Sequence, residues 1–184
     1  MYSSADTQAL GMLIAGATGS SLTGYMQAKL YGPLGMESPG YWVTDSVGCE
    51  MAYAGLLMTA RDFAKLGELY RNHGSWQSQQ IVPAAYVEAS VQADGPHVQP
   101  GGPMVGDHVF GPGYGYQWWL PAGDLGDYSA IGVYNQYIYV DPNRDTVIVK
   151  LSANPAYGTT TREEDNKDLE NLSALRAISQ HCAS

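Results

Sequence analysis

The hydrophobic period changes once along this 184-residue chain, and that change constrains the fold more than any other feature. Up to about residue 91 the apolar residues recur at helical spacing. From about residue 114 they come in short runs dense in β-branched and aromatic types. Leu10, Leu13, Ile14 and Ala17 fall at i, i+3, i+4 and i+7, one apolar helix stripe that Gly19 closes. Ser20 or Ser21 can cap a second helix carrying Leu22, Tyr25, Met26 and Leu30, which Gly32-Pro33 stops. Thr59-Ala60-Arg61-Asp62 is the clearest helix start. Thr59 can accept from the amide three residues on, and Asp62 places negative charge in the first turn. Phe63, Leu66, Leu69 and Tyr70 extend that helix until His73-Gly74, and a shorter one is expected from Pro83 to about Val91.

In the second half, Tyr114 to Leu120 reads as an aromatic strand, and Ser129 to Val140 and Thr146 to Ser152 as two more. The cluster Asp141-Pro142-Asn143-Arg144-Asp145 turns the last two into a hairpin. Val147, Val149 and Leu151 alternate with Thr146, Ile148 and Lys150, so both faces are largely apolar and cover is expected on both sides. A final helix from about Glu163 carries Leu169, Leu172, Leu175 and Ile178. The expected fold class is α/β of the α+β kind, with helices packed on a mainly antiparallel sheet. It forms one domain, 1–184, mainly helical over 1–105, then antiparallel strands and a C-terminal helix over 106–184.

Composition removes several function classes. Eighteen acidic against nine basic residues give a net charge of -9, the wrong sign for a nucleic-acid binder or for docking on anionic membranes. No apolar run reaches the length of a membrane span, and MYSSADTQAL lacks the basic and apolar regions of a signal peptide. Cys49 and Cys182 are too few for a disulfide scaffold or a four-cysteine zinc site, and both are expected to be free. His97, Asp107 and His108 match no standard metal spacing and read as solvated loop groups, so no metal is expected. Gly111-Pro112-Gly113-Tyr114-Gly115 leads into a strand, not a helix N-terminus, and is not a phosphate loop. Trp118-Trp119 reads as strand packing. No Gly-x-Ser-x-Gly elbow occurs, and none of Lys29, Lys65, Lys150 and Lys167 has a serine three residues before it.

Several segments, in order, resemble the serine β-lactamase-like and penicillin-binding-protein-like hydrolases, in particular the class C branch with its esterases and 6-aminohexanoate-dimer hydrolase. Pro33-Leu34-Gly35-Met36 is similar to a helix-ending segment of that family. Gly55 to Gly67 resembles its Gly-Gly-Leu…Thr-Ala-x-Asp helix, Tyr116-Gln117-Trp118-Trp119 its Gly-Trp-Trp strand, and Val140-Asp141-Pro142 the link into its last strand. Tyr2-Ser3-Ser4-Ala5-Asp6 resembles its Tyr-x-Asn/Ser motif. The resemblance implies a β-lactamase/transpeptidase-like fold and acyl transfer to a serine on an amide, ester or lactam, with no metal or organic cofactor.

By that resemblance Tyr2 shuttles a proton as general base and acid, and Ser4 is its hydrogen-bond partner at the cleft. The backbone N–H of Val133 completes an oxyanion hole, and Tyr134, Asn135 and Gln136 line the substrate edge. Tyr134 and Asn135 depart from the family's Lys-Thr-Gly or His-x-Gly, which places carboxylate recognition in doubt. The family's Ser-x-x-Lys helix precedes the Tyr-x-Asn/Ser motif, so the chain is expected to be a C-terminal, incomplete β-lactamase-like domain whose parent takes a small-molecule substrate. The alternative is a catalytically inactive relative that binds a small ligand or a partner chain. Loss of the N-terminal strands leaves Thr146–Ser152 as a sheet edge, expected to pair with a second copy or with the missing N-terminal part. Periplasm and cytoplasm both stay open for the parent.

Overall fold

A computed structural model describes residues 3–101 and 111–182. The chain divides into two compact units, Tyr2–Lys65 and Leu66–Ser184, and the division falls inside a helix.

In the first unit, α1 (Ser4–Thr18) ends where Gly19 takes the left-handed conformation (φ 68°) and its N–H donates to the Ala15 carbonyl. Helix α2 (Leu22–Met26) is capped by Ser21, whose hydroxyl accepts from the Gly24 amide at 3.1 Å. A π-helical turn, Gln27–Tyr31, follows it. The Gly- and Ser-rich stretch beyond forms one short antiparallel pair, β1 (Tyr41–Trp42) with β2 (Leu56–Leu57). Helix α3 (Ala60–Arg71) opens as expected: the Asp62 amide donates to the Thr59 hydroxyl at 3.1 Å. The same Asp62 carboxylate, fully buried, also accepts from the Glu37 and Ser38 amides at 2.8 and 3.2 Å. Burial would raise its pKa, but those two amides and the Thr59 hydroxyl outweigh it and hold the carboxyl below its usual value.

In the second unit, Gly74 (φ 79°) ends α3, its N–H reaching back to the Leu69 carbonyl at 2.8 Å. A small hairpin, β3 (Ser75–Trp76) with β4 (Gln79–Gln80), leads to α4 (Ala84–Ser90). The main sheet has five antiparallel strands in sequence order: β5 (Gly113–Tyr114), β6 (Trp119–Leu120), β7 (Tyr128–Gly132), β8 (Gln136–Asp141) and β9 (Thr146–Lys150). The run Tyr114–Leu120 is therefore a hairpin, not one strand. Gln117 turns it at φ 72°, and the Tyr116 amide bonds the Ser90 carbonyl at the end of α4. A side chain on Gly115 would stand 2.0 Å from that same carbonyl oxygen, so close approach selects glycine there. Trp118 and Trp119 are both buried, and Trp118 packs against Tyr70 and Tyr128 at ring separations of 4.5 and 5.1 Å.

Both faces of the sheet are covered, as the double alternation anticipates. Tyr137 and Tyr139 of β8, with Ile131 and Ile148, pack on Leu172 and Leu175 of α6 (Asp168–Cys182). Ile138, Val140 and Val147 look the other way, onto α3. A Cβ on Gly67 would lie 2.5 Å from Val147 and 3.0 Å from Ile138, so Gly67 lets the helix sit directly on the strands. The stripe expected on α6 is corrected at its ends, for Leu169 and Ile178 are 41% and 47% exposed. The buried line runs instead through Asp168, Leu172, Leu175 and Ser179. Both polar members are partnered: the Tyr137 hydroxyl donates to Asp168 at 3.0 Å, and Ser179 donates to Asp141 at 2.8 Å. A short helix, α5 (Glu163–Asn166), precedes α6.

Candidate functional site

The residues Ile131–Gln136, expected as one strand edge, are a strand end and a reverse turn. Gly132 pairs with Gln136, and Val133, Tyr134 and Asn135 form the loop between β7 and β8. Tyr134 (φ 63°) and Asn135 (φ 65°) are both left-handed, although the loop holds neither glycine nor proline. Asparagine tolerates that conformation; tyrosine is strained by about 1–2 kcal/mol. Such strain persists only where the surroundings enforce it, and here they do.

Asn135 is 1% exposed. Its Nδ2 donates to the Asn166 carbonyl at 2.7 Å and lies 3.5 Å from Asp168 Oδ1, and its Oδ1 accepts from Asn154 at 2.8 Å. Gln136 is clamped to Ser152 in both directions, its Nε2 donating to the Ser152 carbonyl and its Oε1 accepting from the Ser152 amide. The Lys150 ammonium sits behind the loop, 3.3 Å from the Asn135 carbonyl. Burial holds its pKa below the usual value against the opposing charge of Glu170. Burial, with the Asp168 charge beside it, drives the Tyr137 pKa strongly upward, so that phenol stays a donor. The three consecutive side chains expected along the substrate edge thus differ in exposure and in hydrogen bonding. Val133 and Tyr134 are 60% and 51% exposed, whereas the Asn135 and Gln136 side chains are spent holding the turn. Sequence reasoning missed Asn154, Asn166 and Asp168. Asp168 carried a signal only as one of the acids at a helix start, which reads as dipole complementation.

Ser4, the first residue of α1, is exposed and lies in the first unit. Tyr2 lies outside the described residues, as do Asp107 and His108. His97 sits in a single 3-10 turn, Pro96–Val98. Among the described residues no three His, Cys, Asp or Glu side chains converge on a point. Cys49 and Cys182 are free and exposed. No helix among the described residues is long and apolar enough to cross a membrane. A separate open cavity of about 750 Å³ in the second unit is lined by Glu68, Arg71, Trp76 and Asp145 among others. Its charges are already matched, because Arg71 bonds Glu68 at 2.5 and 2.8 Å and Asp145 at 2.5 Å.

Residues 1–172 match the family model described as Beta-lactamase. The chain belongs to the Beta-lactamase family. Within that family it is 28% identical over 154 residues to the 6-aminohexanoate-dimer hydrolase of Paenarthrobacter ureafaciens, a match covering 84% of this chain and 39% of that protein. A solved Bacillus anthracis structure assigned as a 6-aminohexanoate-dimer hydrolase superimposes with a TM-score of 0.81 at 31% identity, over 98% of this chain and 44% of that one. EstCE1, a hydrolase with promiscuous acyltransferase activity, shares the fold with a TM-score of 0.62 at 20% identity, over 82% of this chain and 50% of that one. The helices and antiparallel sheet are thus those of the β-lactamase/transpeptidase-like fold, and the chain spans half or less of the length of these relatives.

Proposed function

We propose that this chain is the C-terminal portion of a serine hydrolase that cleaves an amide, ester or β-lactam through an acyl-serine intermediate. The observation that carries the reading is the family match over residues 1–172, which takes in both the Tyr2–Ser4 motif and the β7–β8 loop. These 184 residues hold no Ser-x-x-Lys, so the nucleophile belongs to a segment outside them. Serine is a poor nucleophile until a base takes its proton. Tyr2 is that base and later the acid for the leaving group, with Ser4 beside it as hydrogen-bond partner. The Val133 N–H stabilises the oxyanion of the tetrahedral intermediate. Tyr134 provides the substrate-facing side chain, and Asn135 and Gln136 hold the turn that presents both. The parent works on a small molecule without a metal or organic cofactor. The names of the relatives make 6-aminohexanoate dimer the first substrate to try.

The test compares this chain with a longer protein that includes it and a Ser-x-x-Lys segment. The chain alone is expected to show no turnover of nitrocefin, p-nitrophenyl esters or 6-aminohexanoate dimer above background. The longer protein is expected to turn over at least one and to gain the acyl mass on its serine. Sustained turnover by the isolated chain, abolished by Tyr2→Phe, would sink the fragment reading; no acylation of the longer protein would sink the hydrolase reading.

A further inference from the structure

Tyr134 holds a left-handed conformation (φ 63°) with its side chain 51% exposed, and its ring makes no hydrogen bond or ring contact among the described residues. Packing does not require a tyrosine there, and glycine or asparagine would fit that backbone with less strain. A strained side chain that the fold itself does not use is a mark of function. Val133 beside it is 60% exposed, so the β7–β8 loop ends in an apolar tip.

The charges around that tip are arranged against an anion. The second unit has six Lys and Arg side chains. Arg71, Arg144, Arg162, Lys167 and Arg176 each contact a carboxylate at 2.5–3.0 Å. The sixth, Lys150, is turned to the inner side of the loop. Its ammonium lies 3.3 Å from the Asn135 carbonyl and 6.0 Å from the centre of the buried Tyr137 ring. Residues 162–170 hold five carboxylates and two cations, and they are tied to the loop where Asn135 donates to the Asn166 carbonyl. A carboxylate brought to Val133 and Tyr134 therefore meets no unpaired Lys or Arg among the described residues of this unit, and a net negative field from its neighbours. Those five carboxylates are each already accepting a hydrogen bond within the unit, so they form no focused site for a cation either.

We infer that the β7–β8 loop seats an uncharged, apolar portion of the substrate, an alkyl or aryl flank, and that Tyr134 selects against a carboxylate at that place. The inference deepens the proposed hydrolase reading and rests on it for bringing substrate to this loop. For a 6-aminohexanoate dimer it puts the methylene chain against Tyr134 and both charged ends elsewhere.

The test uses the 184-residue chain and three probes of similar size: benzamide, benzoate and benzylammonium. Each is titrated into the isotope-labelled chain while the backbone amide resonances of Gly132–Gln136 are followed by NMR. Benzamide is expected to shift the Val133 and Tyr134 amides saturably and to bind about fivefold tighter than benzoate, the scale of one unit charge felt across water. Benzylammonium is expected to bind no tighter than benzamide. Tyr134→Lys should reverse the order of benzamide and benzoate. Tyr134→Gly, which suits the backbone, should abolish the benzamide response. Resonances far from the loop report in the same spectra that both variants fold. Benzoate binding as tightly as benzamide would overturn the inference. So would tighter binding of benzylammonium, absence of any shift at the loop, or a response indifferent to the Tyr134 substitutions. Turnover is not read, so a longer protein that fails to acylate its serine removes the catalytic reading, whereas a reversed order of probes removes this one.

Discussion

Asn154 donates from Nδ2 to Oδ1 of Asn135 at 2.8 Å, and that bond clamps the tip of the β7–β8 hairpin to the chain leaving β9. Asn154 makes a second bond from the same Nδ2 to the Asp165 carbonyl at 2.7 Å. Two loops distant in sequence and the short helix α5 are therefore joined through one part-buried carboxamide pair.

Replacing Asn135 should expose what that pair contributes. Asn135→Ala removes one of the bonds of Asn154 and the side-chain donor to the Asn166 carbonyl, and puts an alanine at φ 65°. The expected cost is about 1–3 kcal/mol for the lost buried bonds, read as a fall of about 3–10 °C in Tm. Asn135→Gly loses the same bonds without the left-handed strain and should be less damaging than Asn135→Ala. Equal Tm values for the two variants would mean that the backbone conformation contributes nothing.

Tyr134 offers the opposite sign. Its φ of 63° and its half-exposed side chain mean that little packing offsets the strain. Tyr134→Gly relieves about 1–2 kcal/mol of strain and adds about 0.5–1 kcal/mol of unfolded-state entropy cost. The urea midpoint should stay level or rise slightly. Tyr134→Val, β-branched at positive φ, should lower it. A fall with glycine as large as with valine would show that the tyrosine ring is itself a stabilising contact.

Asp62 sets an acid limit on the first unit. Its native carboxyl is held below the ordinary value by the Glu37 and Ser38 amides and the Thr59 hydroxyl, against burial. A depressed native pKa stabilises fully above the unfolded value, about 4, and the benefit is lost as pH falls through the native value. Asp62→Asn should therefore cost about 1–3 kcal/mol at neutral pH, the range for hydrogen bonds to a buried charged acceptor. The gap between parent and variant should close as pH drops below about 4. Urea melts at pH 7 and pH 3 (~4 units apart) test this; an undiminished gap at the lower pH would place the effect in geometry and not charge.

The β9 edge predicts association. Among the described residues β9 pairs with β8 alone, and Lys150 is the one charge along it. An unpaired, apolar strand edge recruits another strand. The chain should not be a lone monomer at micromolar concentration, pairing through Thr146–Ser152 with a second copy or with the N-terminal part. A monomer by light scattering, with the outward amides of β9 exchanging freely, would refute it.

In the longer protein, Tyr2→Phe should cut kcat on the order of a hundredfold, the usual scale for a positioned acid–base group. Thermal stability should be nearly unchanged. Activity within a factor of about two of the parent would remove Tyr2 from proton transfer.

Local chemistry was readable in the order of residues. The Gly19 and Gly74 helix ends, the Ser21 and Thr59 caps and the Asp141–Asp145 turn each depend on groups within a few positions of one another, so the chain itself carries their hydrogen bonds. The two-faced alternation of Val147, Ile148 and Val149 likewise announced cover on both sides of the sheet, because side-chain direction alternates along any strand. The family motifs were legible for the same reason, as short spacings. What only the tertiary structure decided are pairings over long separations. Nothing near Asn135 in sequence announces a turn without glycine or proline, because the groups that force it, Asn154 and Asn166, are 19 and 31 residues away. Nothing in the sequence of α1 tells which side is attached. Periodicity reports that an oily stripe exists; the Gln8 bonds to Glu50 and Ala52 and the close fit at Gly11 decide that it faces outward.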